Sequence, residues 1–169
     1  KGYVVVDENL VPASNAAESA DDDATLRPPN GTAVQRHLTA LSRAFLSAPV
    51  QALLRHDLLS EAASFFDYGC GKGDDIECVR SLGINAAGWD PHFLADGVKQ
   101  SADVVNIGFV INVIEDLTER IEALQSAYAL TRGVLSVSAM LWSAGTSKGR
   151  PYGDGYLTSR NTFQKYFSQ

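Results

Sequence analysis

Apolar residues along the chain follow two different periods, which predict helices in one part and strands in another. From residue 34 to residue 59 they recur at helical spacing, with Pro49 as a break, so two short helices are predicted over about 34–47 and 50–58. Short apolar runs predict buried strands over 64–67, 84–89, 102–106 and 133–139. Further helices are predicted between them, over 75–82, where Gly83 provides the C-terminal cap, and over 117–130. This alternation predicts an α/β fold with a mainly parallel sheet and helices on both faces.

The first 33 residues of the chain have a different composition. Residues 12–33 are rich in Ala, Ser, Asp and Pro, which is typical of a linker or a disordered arm. Before them, residues 2–6 predict a short strand, either the end of an upstream domain or a strand that docks on the following one. We therefore expect residues 1–33 to form an N-terminal arm and residues 34–169 to form one domain.

Composition narrows the class of protein. The 169 residues are 45% hydrophobic, with no apolar run long enough for a membrane span and no signal-peptide pattern, so a cytoplasmic protein is expected. Two cysteines and three scattered histidines predict neither a disulfide framework nor a metal site. The net charge of −6 is concentrated before residue 34, and the nearly neutral remainder argues neither for nor against nucleic acid. Residues 141–169 are locally basic, either as a phosphate-binding edge or as a solvated loop.

The glycines after the first predicted strand point to a ligand. Gly69, Gly71 and Gly73 allow a tight turn into a helix and a close approach of the backbone to a bound group. A helix start also attracts anions, as in dinucleotide sites. Here Asp74 and Asp75 occupy that start, and their charges disfavour a pyrophosphate. They suit a cofactor that carries an ammonium and a sulfonium.

An acidic residue followed by Gly-x-Gly-x-Gly at a strand end resembles the first motif of the class I S-adenosylmethionine-dependent methyltransferases. The resemblance implies a Rossmann-like fold and a second acidic residue that holds the cofactor's ribose, for which Asp90 is placed 23 residues after Asp67. It implies S-adenosylmethionine as the cofactor, held by a set of residues around these strand ends. They are Asp67, Tyr68, Gly69, Cys70, Gly71, Gly73, Asp75, Asp90, Pro91 and Gly108.

Two departures from the family pattern are visible around this motif and at the end of the chain. Only 11 residues separate Asp90 from Ala102, so the helix and strand that normally carry the adenine-binding acid are replaced by a loop, in which Asp96 is the candidate. The chain also stops before the last helix and strand pair of the fold, which predicts either a trimmed protein or a smaller sheet. Cys70 has no nearby His base, so we interpret it as structural, not as a nucleophile.

The third predicted strand ends in a candidate catalytic edge. Methyltransferases that act on base amines carry Asn/Asp-Pro-Pro-Tyr/Phe here, since an amide oxygen must accept an amine proton and an aromatic face must hold the base. Asn106 and Phe109 occupy the first and fourth positions and are predicted to be catalytic. Ile107 and Gly108 replace both prolines, which keeps open the alternative of an ordinary strand end.

Several longer sequence motifs are similar to those of the bacterial DNA-phosphorothioation-associated methyltransferases. They include Arg36-His37-x-Thr39-Ala40-x-Ser42-Arg43, Gly88-Trp89-Asp90-Pro91 and Gly153-Asp154-Gly155-x-Leu157-Thr158, and the resemblance covers residues 34–169. It implies DNA as the substrate, through a base amine, and other DNA-modification proteins as partners. The residues expected to contact substrate phosphate are Arg36, His37, Arg43, Arg160 and Lys165, with a solvated surface as the alternative.

Two other functions remain open at this point. A small-molecule or protein methyltransferase is favoured by the acidic charge and the missing prolines. A non-catalytic module that binds the cofactor is favoured by the short middle segment. Near the candidate edge, Asp116 is expected to cap the helix that begins at Leu117.

Overall fold

The structure, a computed structural model, describes the backbone of residues 3–6 and 9–12 and all of residues 33–143 and 149–168. The chain divides into two compact units, residues 1–32 and residues 33–169. In the first unit, strand β1 (Tyr3–Val6) pairs antiparallel with strand β2 (Asn9–Pro12). The strand predicted over 2–6 is therefore present, while nearly all of the predicted linker over 12–33 lies outside the described residues.

The second unit is built on a four-stranded sheet. All of its neighbouring strands are parallel, as predicted, and the spatial order is β4-β3-β5-β6. The register places Asp67 on β3 between Gly88 on β4 and Asn106 on β5. The strands are β3 (Ser64–Tyr68), β4 (Asn85–Trp89), β5 (Ala102–Gly108) and β6 (Thr131–Ser138).

Helices cover both faces of this sheet, because successive strand residues point to opposite sides. Phe65 packs in one core layer with α1 (Ala48–Arg55) and α2 (Asp74–Ser81). Phe66 packs in the other core layer with α3 (Leu117–Ala129). The predicted α/β architecture is confirmed, and its parallel sheet is compatible with a Rossmann-like fold.

The prediction of a helix over residues 34–47 is wrong. Only a short 3-10 helix forms there, Arg36–Thr39, and the chain then runs without regular structure to Ser47. Its amides bond elsewhere: Arg43 N donates to the Asp74 carboxylate at 2.5 Å and Ser47 N donates to the Asp75 carboxylate at 2.6 Å. Carboxylates at the start of α2 thus accept hydrogen bonds from amides that a local helix would need.

The link from β4 to β5 contains no helix, as expected from its length. Between Asp90 and Ser101 the chain forms turns and one isolated bridge, between Asp90 and Leu94. The unit that carries a third outer strand in the family pattern is therefore a loop in this chain.

The C-terminal part forms a small antiparallel sheet that the sequence did not predict. Its strands, in the spatial order β7-β8-β9, are β7 (Arg150–Tyr152), β8 (Gly155–Leu157) and β9 (Phe163–Gln164). The buried Arg120 of α3 holds it, because its guanidinium donates to both Asp154 carboxylate oxygens, at 2.7 and 3.0 Å, and to the Ile114 carbonyl. Asn112 adds a second link, since its amide donates to the Lys165 carbonyl.

Candidate functional site

A cavity of about 420 Å³ lies at the carboxyl ends of β3, β4 and β5. In parallel sheets this edge is where ligands bind, because the strand ends and the helix starts converge there. Most of the residues singled out from the sequence line it. They are Arg36, His37, Arg43, Asp67, Tyr68, Gly69, Cys70, Gly71, Asp75, Asp90, Pro91, Asn106, Gly108 and Phe109.

The glycine turn forms one wall of the cavity with bare backbone. Gly69, Gly71 and Gly73 all have left-handed backbones, with φ of +78°, +55° and +85°. The turn is fixed to β4, since the amides of Gly69 and Cys70 both donate to the Trp89 carbonyl, at 2.7 and 3.1 Å. A Cβ at Gly69 would collide with the Val110 side chain. Gly73 does not line the cavity and instead caps the start of α2.

Asp67 and Asn106 form a buried pair at the centre of the site. Asn106 Nδ2 donates to Asp67 Oδ1 at 2.8 Å, and Asn106 is only 2% exposed. Burial raises the pKa of the Asp67 carboxyl to about 7, against the lowering effect of the Asn106 hydrogen bond. The oxygen atom of this amide, Asn106 Oδ1, is buried without a hydrogen-bond partner.

Two further carboxylates face the cavity from the neighbouring elements. Asp75, buried on α2, accepts a hydrogen bond from Ser47 N and lies 3.9 Å from the Arg43 guanidinium. Asp90, after β4, accepts from Gly71 N at 3.0 Å through Oδ2. Its Oδ1 accepts from the amides of His92 and Phe93, so Asp90 both caps the strand end and faces the cavity.

Negative charge therefore dominates this part of the site. Asp67, Asp75 and Asp90 converge with Arg43 as the cation that acts on Asp67. Burial and the carboxylates of Asp67 and Asp90 also raise the pKa of the Cys70 thiol to about 12, which agrees with its interpretation as non-nucleophilic. Within the described ranges, no group of three or more His, Cys, Asp or Glu side chains is placed to hold a metal ion.

On the face of the sheet that carries α3, the cavity wall is aromatic. The rings of Tyr68 and Trp89 lie 5.2 Å apart, tilted by 51°. The ammonium of Lys99 sits 3.6 Å from the Trp89 ring centroid and donates to the Tyr68 hydroxyl at 3.3 Å. Sequence reasoning missed Lys99, because nothing in its local pattern distinguishes it from other loop lysines.

The end of β5, which was predicted to be catalytic, does not have the geometry expected from the sequence. β5 continues to Gly108, so Asn106 lies inside the strand instead of in the turn after it. Ile107 is fully buried, and a Cβ at Gly108 would lie 3.0 Å from Asn106 Nδ2. Phe109 then adopts a left-handed backbone, with φ of +61°, which is uncommon for a side chain of this size and is a strain often found at functional sites.

The basic residues predicted to bind substrate separate into two groups. Arg36 lines the cavity but is already paired, at 2.8 Å to Glu115 and at 2.6 Å to Glu119, and these carboxylates raise its pKa further. His37 stacks on His92 with ring centroids 4.3 Å apart. Of the remaining three, Arg43 lines the cavity, whereas Arg160 and Lys165 do not, and Lys165 lies 3.3 Å from Asp154.

Three smaller expectations can be compared with the structure. The predicted cap is confirmed, because the Asp116 carboxylate accepts a hydrogen bond from Glu119 N at 2.8 Å at the start of α3. The candidate adenine acid, Asp96, is exposed and does not line the cavity. No helix in the described residues is long and apolar enough to cross a membrane.

No protein-family profile, no curated protein and no solved structure matches this chain. Its function is therefore argued from the chemistry of the cavity.

Proposed function

We propose that the protein is an S-adenosylmethionine-dependent methyltransferase that modifies a base amine of DNA, as part of a bacterial DNA-modification system in the cytoplasm. The observation that carries the proposal is a cavity whose walls combine a bare glycine turn with three carboxylates and a buried amide oxygen without a partner. Buried polar atoms are nearly always hydrogen-bonded, so a cavity-lining oxygen without a partner indicates a ligand contact.

The residues present fit this cofactor in charge as well as in space. S-adenosylmethionine carries an ammonium and a sulfonium, and Asp67, Asp75 and Asp90 supply compensating charge. The left-handed glycines leave the backbone of the turn open to the cofactor. Asp90 would hold the ribose hydroxyls through Oδ2, which accepts from one amide and keeps a lone pair, whereas Oδ1 already accepts from two amides.

Catalysis in such a site is mainly positioning. The cofactor supplies an electrophilic methyl group when it is bound, and the chain must orient an acceptor nitrogen in line with it. Phe109, held at the cavity by its constrained backbone, offers a ring on which a planar base can stack. The sequence assigns Asn106 to the acceptor amine, and its free amide oxygen is an acceptor of the required kind.

A second acceptor class is favoured by a specific observation. Arg36 is neutralised by Glu115 and Glu119, and Glu122 also lines the cavity. The basic residues Arg160 and Lys165 do not line it. This charge distribution favours a small amine over a polyanion as the acceptor.

Transfer of a tritiated methyl group tests the function and separates the two acceptor classes. We expect label from S-adenosylmethionine to enter DNA, and digestion to nucleosides to place it on a base amine. A Phe109→Ala variant should lose most of this transfer while it binds S-adenosylhomocysteine as the wild type does. Label found only in small metabolites would instead favour the second acceptor class, a small amine. No transfer to DNA, RNA or cell extract would contradict catalysis.

A further inference from the structure

Two side-chain oxygen atoms stand out in the described part of the chain, because they are buried and have no hydrogen-bond partner. They are Ser47 Oγ and Asn106 Oδ1, on residues that are 6% and 2% exposed. Both residues line the same cavity. Leaving such groups unpaired is destabilising, so their occurrence in one cavity indicates a shared ligand.

The Ser47 hydroxyl is available to a ligand because it does not cap the helix that follows it. It is the residue before α1, where a serine oxygen normally accepts from the second or third amide of the helix. The second residue is Pro49, which has no N–H, and the Ser47 hydroxyl makes no cap hydrogen bond. Its backbone is fixed by the bond from Ser47 N to Asp75, so the free hydroxyl is held in a defined place.

The two residues lie on the same side of the sheet. Asn106 follows Val104 on the face that packs against α1, two residues along the strand, and Ser47 immediately precedes α1. A Cβ at Gly108 would lie 3.0 Å from Asn106 Nδ2 and 3.4 Å from Pro49 Cγ. Gly108 is therefore close both to the Asn106 amide and to the first turn of α1.

The charges around these two oxygen atoms determine which kind of ligand group can bind to them. Asn106 Nδ2 is used by Asp67, so Asn106 presents only an acceptor. Asp67 and Asp75 stand beside the two free oxygens and repel any anion. A primary ammonium has three N–H donors and a positive charge, and so matches both the acceptors and the carboxylates.

We propose that Ser47 Oγ and Asn106 Oδ1 form an ammonium site, which takes the α-amino group of the bound cofactor. The inference rests on the proposed function and goes beyond it. It assigns a residue to binding that the sequence did not indicate, and it moves Asn106 from the acceptor amine to the cofactor.

Calorimetric titration with three ligands tests this site without any turnover. The ligands are S-adenosylhomocysteine, its analogue without the amino group, and its analogue without the carboxyl group. We expect the wild type to bind the second ligand at least tenfold more weakly than the first and the third. Ser47→Ala should weaken the two ammonium ligands by about tenfold and leave the analogue without the amino group unchanged.

Matched variants and distinct outcomes complete the test. Ser81→Ala is the control, because the Ser81 hydroxyl bonds to its own helix at Cys78 and does not line the cavity. Asn106→Ala should repeat the ligand-selective loss. Equal affinity of the wild type for all three ligands, or no effect of Ser47→Ala, would overturn the ammonium site, with water as the partner of these atoms, and leave the proposed function standing. Failure to bind any of the three would refute both.

Discussion

The two sides of the cavity differ in the charged groups that they contain. On the α1 and α2 side, Asp67 and Asp75 are buried beside two unpartnered oxygens, and the nearest cation to Asp75, Arg43, is 3.9 Å away. On the α3 side, the chain provides its own cation, since Lys99 lies against the rings of Tyr68 and Trp89. The first side therefore offers buried acceptors and carboxylates to a positive group of a ligand, whereas the second side already holds a cation against its aromatic rings.

This difference favours one orientation of a bound ligand in the cavity. A ligand with a cationic end and a flat end gains most by placing the cation among the carboxylates and the flat ring near the aromatic wall. S-adenosylmethionine has that division of chemistry. Each of the following changes would weaken or sharpen the contrast between the two sides.

The largest effect is expected at the glycine turn. Gly71→Val puts a branched side chain on a left-handed backbone that lines the cavity, so binding of S-adenosylhomocysteine should be abolished. Calorimetry measures this directly. Gly83→Val is the control, because Gly83 also has a left-handed backbone, with φ of +81°, but lies outside the cavity. Loss of binding in both variants would attribute the effect to backbone strain instead of the site.

A pH dependence should mark the carboxylate side. Folded Asp67 keeps its proton to a pKa of about 7, with Asp75 and Asp90 raising that pKa and Arg43 and Asn106 lowering it. The unfolded chain loses the proton near pH 4, so between about pH 4 and pH 7 the folded state binds more protons. The free energy of unfolding should therefore fall as pH rises through this range.

Cofactor binding should show the opposite trend. A cation beside Asp67 favours the ionised carboxylate, so affinity for S-adenosylmethionine should rise with pH up to about 7, by at most about tenfold per pH unit. Asp67→Asn should remove both pH dependences, as measured by denaturant unfolding and calorimetry. Asp103→Asn, on an aspartate outside the cavity, should leave the pH dependence of binding unchanged. An unaltered pH profile in Asp67→Asn would show that Asp67 does not face the bound cation.

Asp90 should have an intermediate effect. Asp90→Ala removes the expected partner of the ribose hydroxyls, and the affinity for S-adenosylhomocysteine should fall by about 1–3 kcal/mol. The exposed Asp96 provides the comparison, since Asp96→Ala removes the same charge from the same loop outside the cavity. Calorimetry that finds equal affinities in the two variants would contradict the role of Asp90.

The smallest effect is expected on the α3 side. Lys99→Met removes a cation–π contact and should lower the free energy of unfolding by about 1 kcal/mol. The pH dependence of cofactor binding should remain, because Lys99 belongs to the side with its own cation. A change in that dependence would mean that the two sides act as one electrostatic unit.

Much of this site could be predicted from sequence, for a physical reason. Parallel strands end at one edge, so a polar residue after each apolar run, such as Asp67 or Asp90, is brought to the same place whatever the details of the loops. The glycine turn is equally local, because positive φ restricts the choice of residue.

The features that could not be predicted depend on distant partners. The segment before Ser47 has a helical pattern, yet its amides bond to Asp74 and Asp75, about thirty residues later. Ser47 and Lys99 become part of the site only through these tertiary contacts and the loop after β4. The strands β7, β8 and β9 have two or three residues each, which is too short for a period of two to be recognised.

A structure of the protein with S-adenosylhomocysteine bound is the most direct test of the central claim. The account predicts the amino group within hydrogen-bonding distance of Ser47 Oγ and Asn106 Oδ1, with the ribose hydroxyls against Asp90. A ligand bound elsewhere, or a cavity that stays empty at millimolar ligand, would contradict it.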